Sequence, residues 1–264
     1  MKVFDIHAHI YPEKIADKAV HAISALYNGY SMLGDGLAET LVARMDLGNI
    51  EKAAIHSPAT TPHQVASINH FILSEANQYP DRLVPFATLH PDVEHMEDTL
   101  QEILASGFQG IKLHPEFQEF KVDEPRAIAM FDMISDKIPV LLHCGDSFRD
   151  NSAPERILHL IREVPKLRLI CAHLGGWQVW ERAAEILTGA NIWVDTSSAI
   201  YALDKEKAAK IIRAYGTDRT LFGSDFPMWL PDLELERFLG LPLTANEQED
   251  ILWNNHLRLF QGEM

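Results

Sequence analysis

Two cysteines, Cys144 and Cys171, in 264 residues are too few for a disulfide framework and suit a reducing compartment. No apolar run approaches the ~20 residues of a membrane span. The first 14 residues, MKVFDIHAHIYPEK, lack the apolar stretch of a secretory signal, so a cytoplasmic protein is expected. Basic residues are outnumbered, with 23 Lys and Arg against 38 Asp and Glu, for a net charge of −15. A field of that sign repels phosphate backbones and anionic lipid. Nucleic acid and membrane are therefore excluded as expected partners, which leaves a small molecule. No Gly/Ser linker, charge block or low-complexity tract divides the chain, so one domain over 1–264 is expected. That length can bury a sizeable core without a disulfide or structural metal. Against these absences stands one abundance, 13 histidines.

Short apolar runs occur at 2–9, 52–57, 83–90, 110–114, 139–143, 167–173, 191–196 and 220–224. Each reads as a strand buried on both faces. Between them, segments 62–79, 93–105, 124–137, 153–164, 177–188, 205–215 and 245–260 carry apolar residues near a 3.6 period and read as helices. Thr61 before Pro62 is a helix start, and Gly107 and Gly216 read as left-handed helix ends. Eight strands alternating with helices over about 260 residues have the rhythm of a (β/α)₈ TIM barrel. A doubly wound open sheet is the rival, but the Gly-rich phosphate turn it would carry after its first strand is missing. Segment 11–49 is too long for one helix and implies an insertion after the first strand.

Histidines and one aspartate sit where these strands end. Strand one ends in His7 and His9, strand five in His143 and strand six in His173, and strand eight runs into Asp225. In a barrel those ends form one mouth, where active sites lie. Side-chain alternation points His7 and His9 the same way. With His143 and Asp225 they make three imidazoles and a carboxylate, a set that suits one divalent metal, Zn first, with Mn, Fe or Co as alternatives. Such an ion activates water at neutral pH, and His173 can serve as base. His21, His63, His70, His95, His159 and His256 fall in helical stretches and read as surface or packing residues; His56 ends strand two and stays undecided.

The motifs Phe4-Asp5-Ile6-His7-Ala8-His9-Ile10-Tyr11-Pro12, Gly110-Ile111-Lys112-Leu113-His114-Pro115 and Leu141-Leu142-His143-Cys144-Gly145 carry a resemblance. Ala172-His173-Leu174-Gly175-Gly176 and Phe222-Gly223-Ser224-Asp225-Phe226-Pro227 extend it to position 227 in the same order. Together they resemble the amidohydrolase superfamily, in the amidohydrolase-2 branch of aminocarboxymuconate semialdehyde decarboxylase and related metal-dependent barrel hydrolases. The resemblance implies that His7, His9, His143 and Asp225 are metal ligands. It implies that His173 contacts the activated water and that a homodimer is compatible with the fold; in a hydrolytic reaction His173 and Asp225 would share the proton transfer.

Lys112 shares strand parity with Gly110 and His114. It reads as a substrate-carboxylate ligand, as a structural lysine, or as a carbamate bridging a second metal. His114 and Arg149 are further substrate-binding candidates, Arg149 through a bidentate grip on a carboxylate. His90 precedes a turn-forming Pro91, and either substrate contact or turn chemistry explains it. Trp177 and Trp180 read as helix packing before ligand wall, and Cys144 and Cys171 as small buried apolar residues. The expected activity is hydrolysis of an amide, ester or lactone. The alternative is non-oxidative decarboxylation of an unsaturated or aromatic carboxylic acid, for which Lys112 or Arg149 would orient the carboxylate.

Overall fold

Strands joined through helices return to the same end of a sheet and must pair in parallel. The computed structural model describes residues 1–27 and 29–262 and contains eight such strands in sequential order. These are β1 (Phe4–His9), β2 (Lys52–His56), β3 (Leu83–Thr88), β4 (Gly110–Leu113), β5 (Val140–Leu142), β6 (Leu169–Cys171), β7 (Trp193–Asp195) and β8 (Thr220–Leu221). The segment after β8 closes the ring onto β1. Ile6 N–H donates to the Phe222 carbonyl at 2.9 Å, Asp225 N–H to that of His7 at 2.8 Å, and His9 N–H to that of Phe226 at 2.6 Å. The fold is a TIM barrel, and the open-sheet rival is excluded.

The helices are α1 (Glu13–Leu26), α2 (Ala38–Gly48), α3 (Val65–Gln78), α4 (Met96–Ala105), α5 (Pro125–Ile134), α6 (Pro154–Glu163), α7 (Trp180–Leu187), α8 (Lys205–Tyr215), α9 (Pro231–Leu239), α10 (Ala245–Glu249) and α11 (Asn255–Gln261). The expected insertion is α1, which precedes the barrel helix α2. A π-helical turn, Asp250–Asn254, joins α10 to α11, so segment 245–260 is one continuous path. Gly107 has the expected left-handed φ of 88°. Gly216, at φ 103° and ψ 126°, shares the positive φ but not the left-handed helical ψ. It caps α8 in an extended positive-φ conformation that glycine adopts at no steric cost. Helix α9 lacked a sequence signal because its buried face includes a carboxylate, Glu234.

That glutamate gives the fold a pH dependence. Glu234 is 1% exposed and pairs with Arg237 at 2.7 Å. Burial still pushes its carboxyl up to about 8. A raised folded-state pKa contributes stability fully below the unfolded value near 4.5, and that contribution is lost as pH rises through about 8. The urea midpoint of the wild type is expected to fall between pH 5 and pH 8 relative to that of Glu234→Gln. Parallel pH profiles would contradict this assignment.

The strands position the site through a break in their own alternation. Phe4 and Ile6 lie in the barrel interior with Phe86, Leu141, Ile170, Trp193 and Leu221, sealed by Leu259 of α11. Strict alternation would place Ala8 there too. The β1–β2 register instead slips between Asp5 and Ala8, and Ala8 packs in the outer layer among strands and helices. The bulge re-aims the following side chains, so His7 and His9 stand in the interior above an apolar floor.

Candidate metal centre

His7 is fully buried, and its Nδ1–H donates to Asp195 Oδ2 at 2.8 Å. This fixes the tautomer and leaves a bare lone pair on Nε2. That Nε2 lies 3.2 Å from His9 Nε2 and 3.3 Å from Asp225 Oδ1. His9 Nε2 in turn lies 3.6 Å from Asp225 Oδ1. Ligands about 2.1 Å from a shared ion would stand roughly 3.0–3.4 Å apart, so these three donor atoms are spaced like neighbours in one coordination shell.

His143 and His173 repeat the pattern. His143 Nε2–H donates to the Gly145 carbonyl at 3.0 Å, and His173 Nδ1–H to that of Ser197 at 3.0 Å. Their remaining nitrogens, His143 Nδ1 and His173 Nε2, face each other at 3.0 Å with no proton assigned to either. Burial holds His7, His9 and His143 well below the ordinary histidine pKa. Burial, and secondly the Lys112 charge, lower His173 to about 3. The imidazoles are therefore neutral at pH 7, the state a metal requires. Neutral imidazole nitrogens converging beside a carboxylate are the donor chemistry a divalent ion takes, and they fit the group that the sequence implies; the ion would replace Lys112 Nζ, 3.0 Å away, as the partner of His7 Nε2.

The backbone is shaped to collect these groups. His173, Leu174, Ser198 and Asp225 all have positive φ, between 45° and 64°, and such conformations cluster at functional sites. His173 follows Ala172, which faces the interior, so the left-handed turn brings a residue of the wrong parity inward. Asp5 holds the Asp225 loop by accepting from Ser224 N–H at 2.9 Å and from Ser224 Oγ–H at 2.5 Å. A Cβ at Gly223 would come within 3.0 Å of the His7 Cβ and 3.1 Å of the Ser197 Cβ, which explains the glycine between Phe222 and Ser224.

A cavity of about 30 Å³ opens over these donors. His9, His143, His173 and Asp225 form one side. Tyr11, Ile23, Tyr27, Met32, His114, Phe117, Trp177, Pro227 and Met228 form the rest. A second cavity, of about 670 Å³, shares Tyr11, Ile23 and Phe117 with the first.

The amidohydrolase family profile matches residues 4–262. The chain belongs to the amidohydrolase family. Among curated proteins, none matches it in sequence. Among solved structures, it is similar to an uncharacterized TIM-barrel protein from Bordetella bronchiseptica. The identity there is 20%, with coverage of 100% of this chain and 99% of that one and a TM-score of 0.81. It is also similar to 2,6-dihydroxybenzoate decarboxylase from Rhizobium (19% identity, 98% of each chain, TM-score 0.72). A third is 5-carboxyvanillate decarboxylase from Novosphingobium aromaticivorans complexed with manganese and 4-hydroxy-3-methoxy-5-nitrobenzoic acid. Its identity is 17%, coverage is 98% of this chain and 96% of that one, and the TM-score is 0.75.

In this amidohydrolase the residues singled out from the sequence differ in how closely they approach the donor cluster. His7, His9 and Asp225 meet directly. His143 stands one ring further out, on the far side of His173, whose ring centroid is 5.1 Å from that of His7. Lys112 is fully buried, with Nζ 3.0 Å from His7 Nε2; burial lowers its pKa to about 8. It sits beneath the donors and does not line the inner cavity. His114 does line it, with Nε2 2.9 Å from the Tyr27 hydroxyl. Arg149 is exposed and lines the outer cavity and a neighbouring surface cleft that also holds Asp146 and Asp150, not the inner cavity. His90 Nδ1 accepts from Asp92 N–H at 3.1 Å, which is turn chemistry. Trp177 lines the inner cavity whereas Trp180 packs in the core. His256 stacks on Phe4 at 4.2 Å, and both cysteines are buried free thiols.

Several residues of the site escaped the sequence reading. Asp195 is a strand-end carboxylate, and the rule that located Asp225 would have found it. Tyr27 arrives on the insertion, where no periodicity marks it. Buried Glu116 accepts from Ser152 N–H at 3.1 Å and Ser152 Oγ–H at 2.5 Å, and its Oε2 lies 3.5 Å from His114 Nδ1. His56 is fully buried, edge-on to His9 at 4.4 Å, and both its nitrogens lack hydrogen-bond partners among the described residues.

Proposed function

We propose that this amidohydrolase is a metal-dependent, non-oxidative decarboxylase of a small aromatic or unsaturated carboxylic acid. This reverses the preference for hydrolysis drawn from sequence. The observation that carries it is the composition of the inner cavity, whose lining combines metal-type donors with aromatic and apolar side chains. A carboxylate entering there leaves its hydration behind, and loss of CO₂ disperses its charge. The decarboxylases with similar folds, one of them complexed with manganese, support the same choice.

His7, His9 and Asp225, whose donor atoms meet, would hold one divalent ion, with His143 completing the set by moving past the His173 ring; manganese, zinc, iron and cobalt are all compatible with imidazoles and a carboxylate. When bound, the ion supplies positive charge that binds and orients the oxygen atoms of the acid. Asp195 keeps His7 in the tautomer that presents Nε2. His173, neutral and anchored through Nδ1–H to Ser197, accepts a proton from the substrate hydroxyl or from water. It returns that proton to the carbon that CO₂ leaves. Tyr27, Phe117 and Trp177 exclude water while this happens. Lys112, through His7, keeps a positive charge beneath the donors.

The test is a paired assay of protein loaded with manganese or zinc. Hydroxybenzoates are scored for CO₂ release, and aryl esters, lactones and anilides for cleavage. CO₂ release abolished by chelation is the expected result. Chelation-sensitive ester or lactone cleavage without CO₂ release would restore hydrolysis.

A further inference from the structure

The inner cavity is about 30 Å³. Pockets that enclose a small organic ligand run to about 300–1,000 Å³. A carboxylate head fits the inner space, but an aromatic body does not. The outer cavity, at about 670 Å³, has the right size and stands directly beyond the shared wall of Tyr11, Ile23 and Phe117. That wall is unevenly held. Phe117 stacks on His114 at 3.7 Å with the rings within 2° of parallel. Ile23 belongs to α1, where Ala16 is the one buried residue among those described. A helix with so few buried contacts shifts at lower cost than the stacked Phe117, which makes the Ile23 side the weaker part of the wall.

The outer cavity is apolar along Ala22, Ile23, Leu26 and Phe120 and charged at its rim. Lys121 at the rim pairs with Asp150 at 3.3 Å, Glu124 pairs with Arg126, and Glu116 is buried with Oε1 held by Ser152 and Oε2 turned towards His114 Nδ1. Arg149 has no hydrogen-bond or ion-pair partner among the described residues, yet its charge is felt at Tyr27 on the inner wall. Glu119, also exposed, repels an anion and can turn to solvent.

We propose that the substrate spans both cavities. Its reacting carboxylate passes between Ile23 and Phe117 into the inner cavity, while its apolar body fills the outer one. A second carboxylate at the far end is gripped by Arg149. The substrate class is therefore a dicarboxylic acid with an aromatic or unsaturated core larger than one ring. This inference rests on the proposed acid-binding function and deepens it.

Three probe acids test it by calorimetry on the metal-loaded full chain: benzoate, biphenyl-4-carboxylate and biphenyl-4,4′-dicarboxylate. The biphenyl monoacid is expected to bind about tenfold tighter than benzoate, and Ala22→Trp, which fills the outer cavity, removes that gain. The diacid is expected to gain about another tenfold through a charge-assisted bidentate contact, lost in Arg149→Ala. Both variants lie on the surface and should keep the wild-type metal content. Equal affinities for all three acids, insensitive to both variants, would overturn the spanning mode and leave decarboxylation standing. Binding of none of them would overturn acid binding and the subsite together.

Discussion

Replacing His173 with alanine is expected to lower turnover by about 10²–10⁴-fold while the metal stays bound. The expectation follows from the two nitrogens of this residue. Nδ1–H is committed to the Ser197 carbonyl at 3.0 Å, and Ser197 Oγ approaches the same nitrogen at 2.9 Å, so the ring cannot rotate freely. Nε2 is then the one nitrogen able to take and return a proton, and it faces the cavity side of His143. The donors His7, His9 and Asp225 meet without any contribution from His173. Removing its ring opens a small void and should leave those three in place. Steady-state kinetics with metal analysis of the purified variant checks both halves. A variant that sheds its metal would make His173 a ligand, and one that keeps near-full turnover would move the proton step elsewhere.

Asp195→Asn is expected to weaken metal binding by about 10–100-fold, although Asp195 is not placed among the ligands. Its carboxylate accepts from four donors: His7 Nδ1–H at 2.8 Å, His173 N–H at 2.9 Å, Ser197 N–H at 3.0 Å and Ser197 Oγ–H at 2.5 Å. An acceptor-only group suits all four. An amide presents N–H₂ to at least one of them and cannot satisfy every donor. If that N–H₂ faces His7, the imidazole is driven to the other tautomer, with its proton on the nitrogen that should bind the ion. Titration of the variant against a competing chelator measures the loss. Wild-type affinity would show that His7 is oriented by something other than Asp195.

Much of this architecture was legible in the chain because burial on both faces leaves a simple trace. The eight apolar runs became eight strands, and the polar residues that end those runs became the mouth. Strand limits were overestimated because ladder bonding stops before the chain turns. In β6, pairing ends at Cys171, and His173 reaches the site through its left-handed backbone. The bulge in β1 was equally hidden. His7 and His9 share a face as their spacing requires, yet Ile6 faces inward as well, and no residue between Asp5 and Ala8 signals the slip. Alternation also could not measure distance across the mouth. It gathered His143 with His7 and His9, whereas the fold inserts the His173 ring between them. Tyr27 depends on how the insertion folds back over the barrel, a long-range event that leaves no local pattern. Arg149 was legible as a loop cation, and its place in the outer cavity follows from the packing of α1 against the loops after β4 and β5.

The choice between one and two metal ions turns on Lys112. A carbamate there would need a neutral amine free to react, and would bridge two ions. The fold instead directs Nζ at His7 Nε2, 3.0 Å away, as a cation beside a lone pair. Elemental analysis of protein prepared without chelator or affinity tag tests this directly. About one equivalent of a divalent transition metal per chain is the predicted result. Two equivalents would contradict the single-ion centre and install Lys112 as a bridging ligand. None, with none regained on adding manganese or zinc, would contradict the metal centre itself.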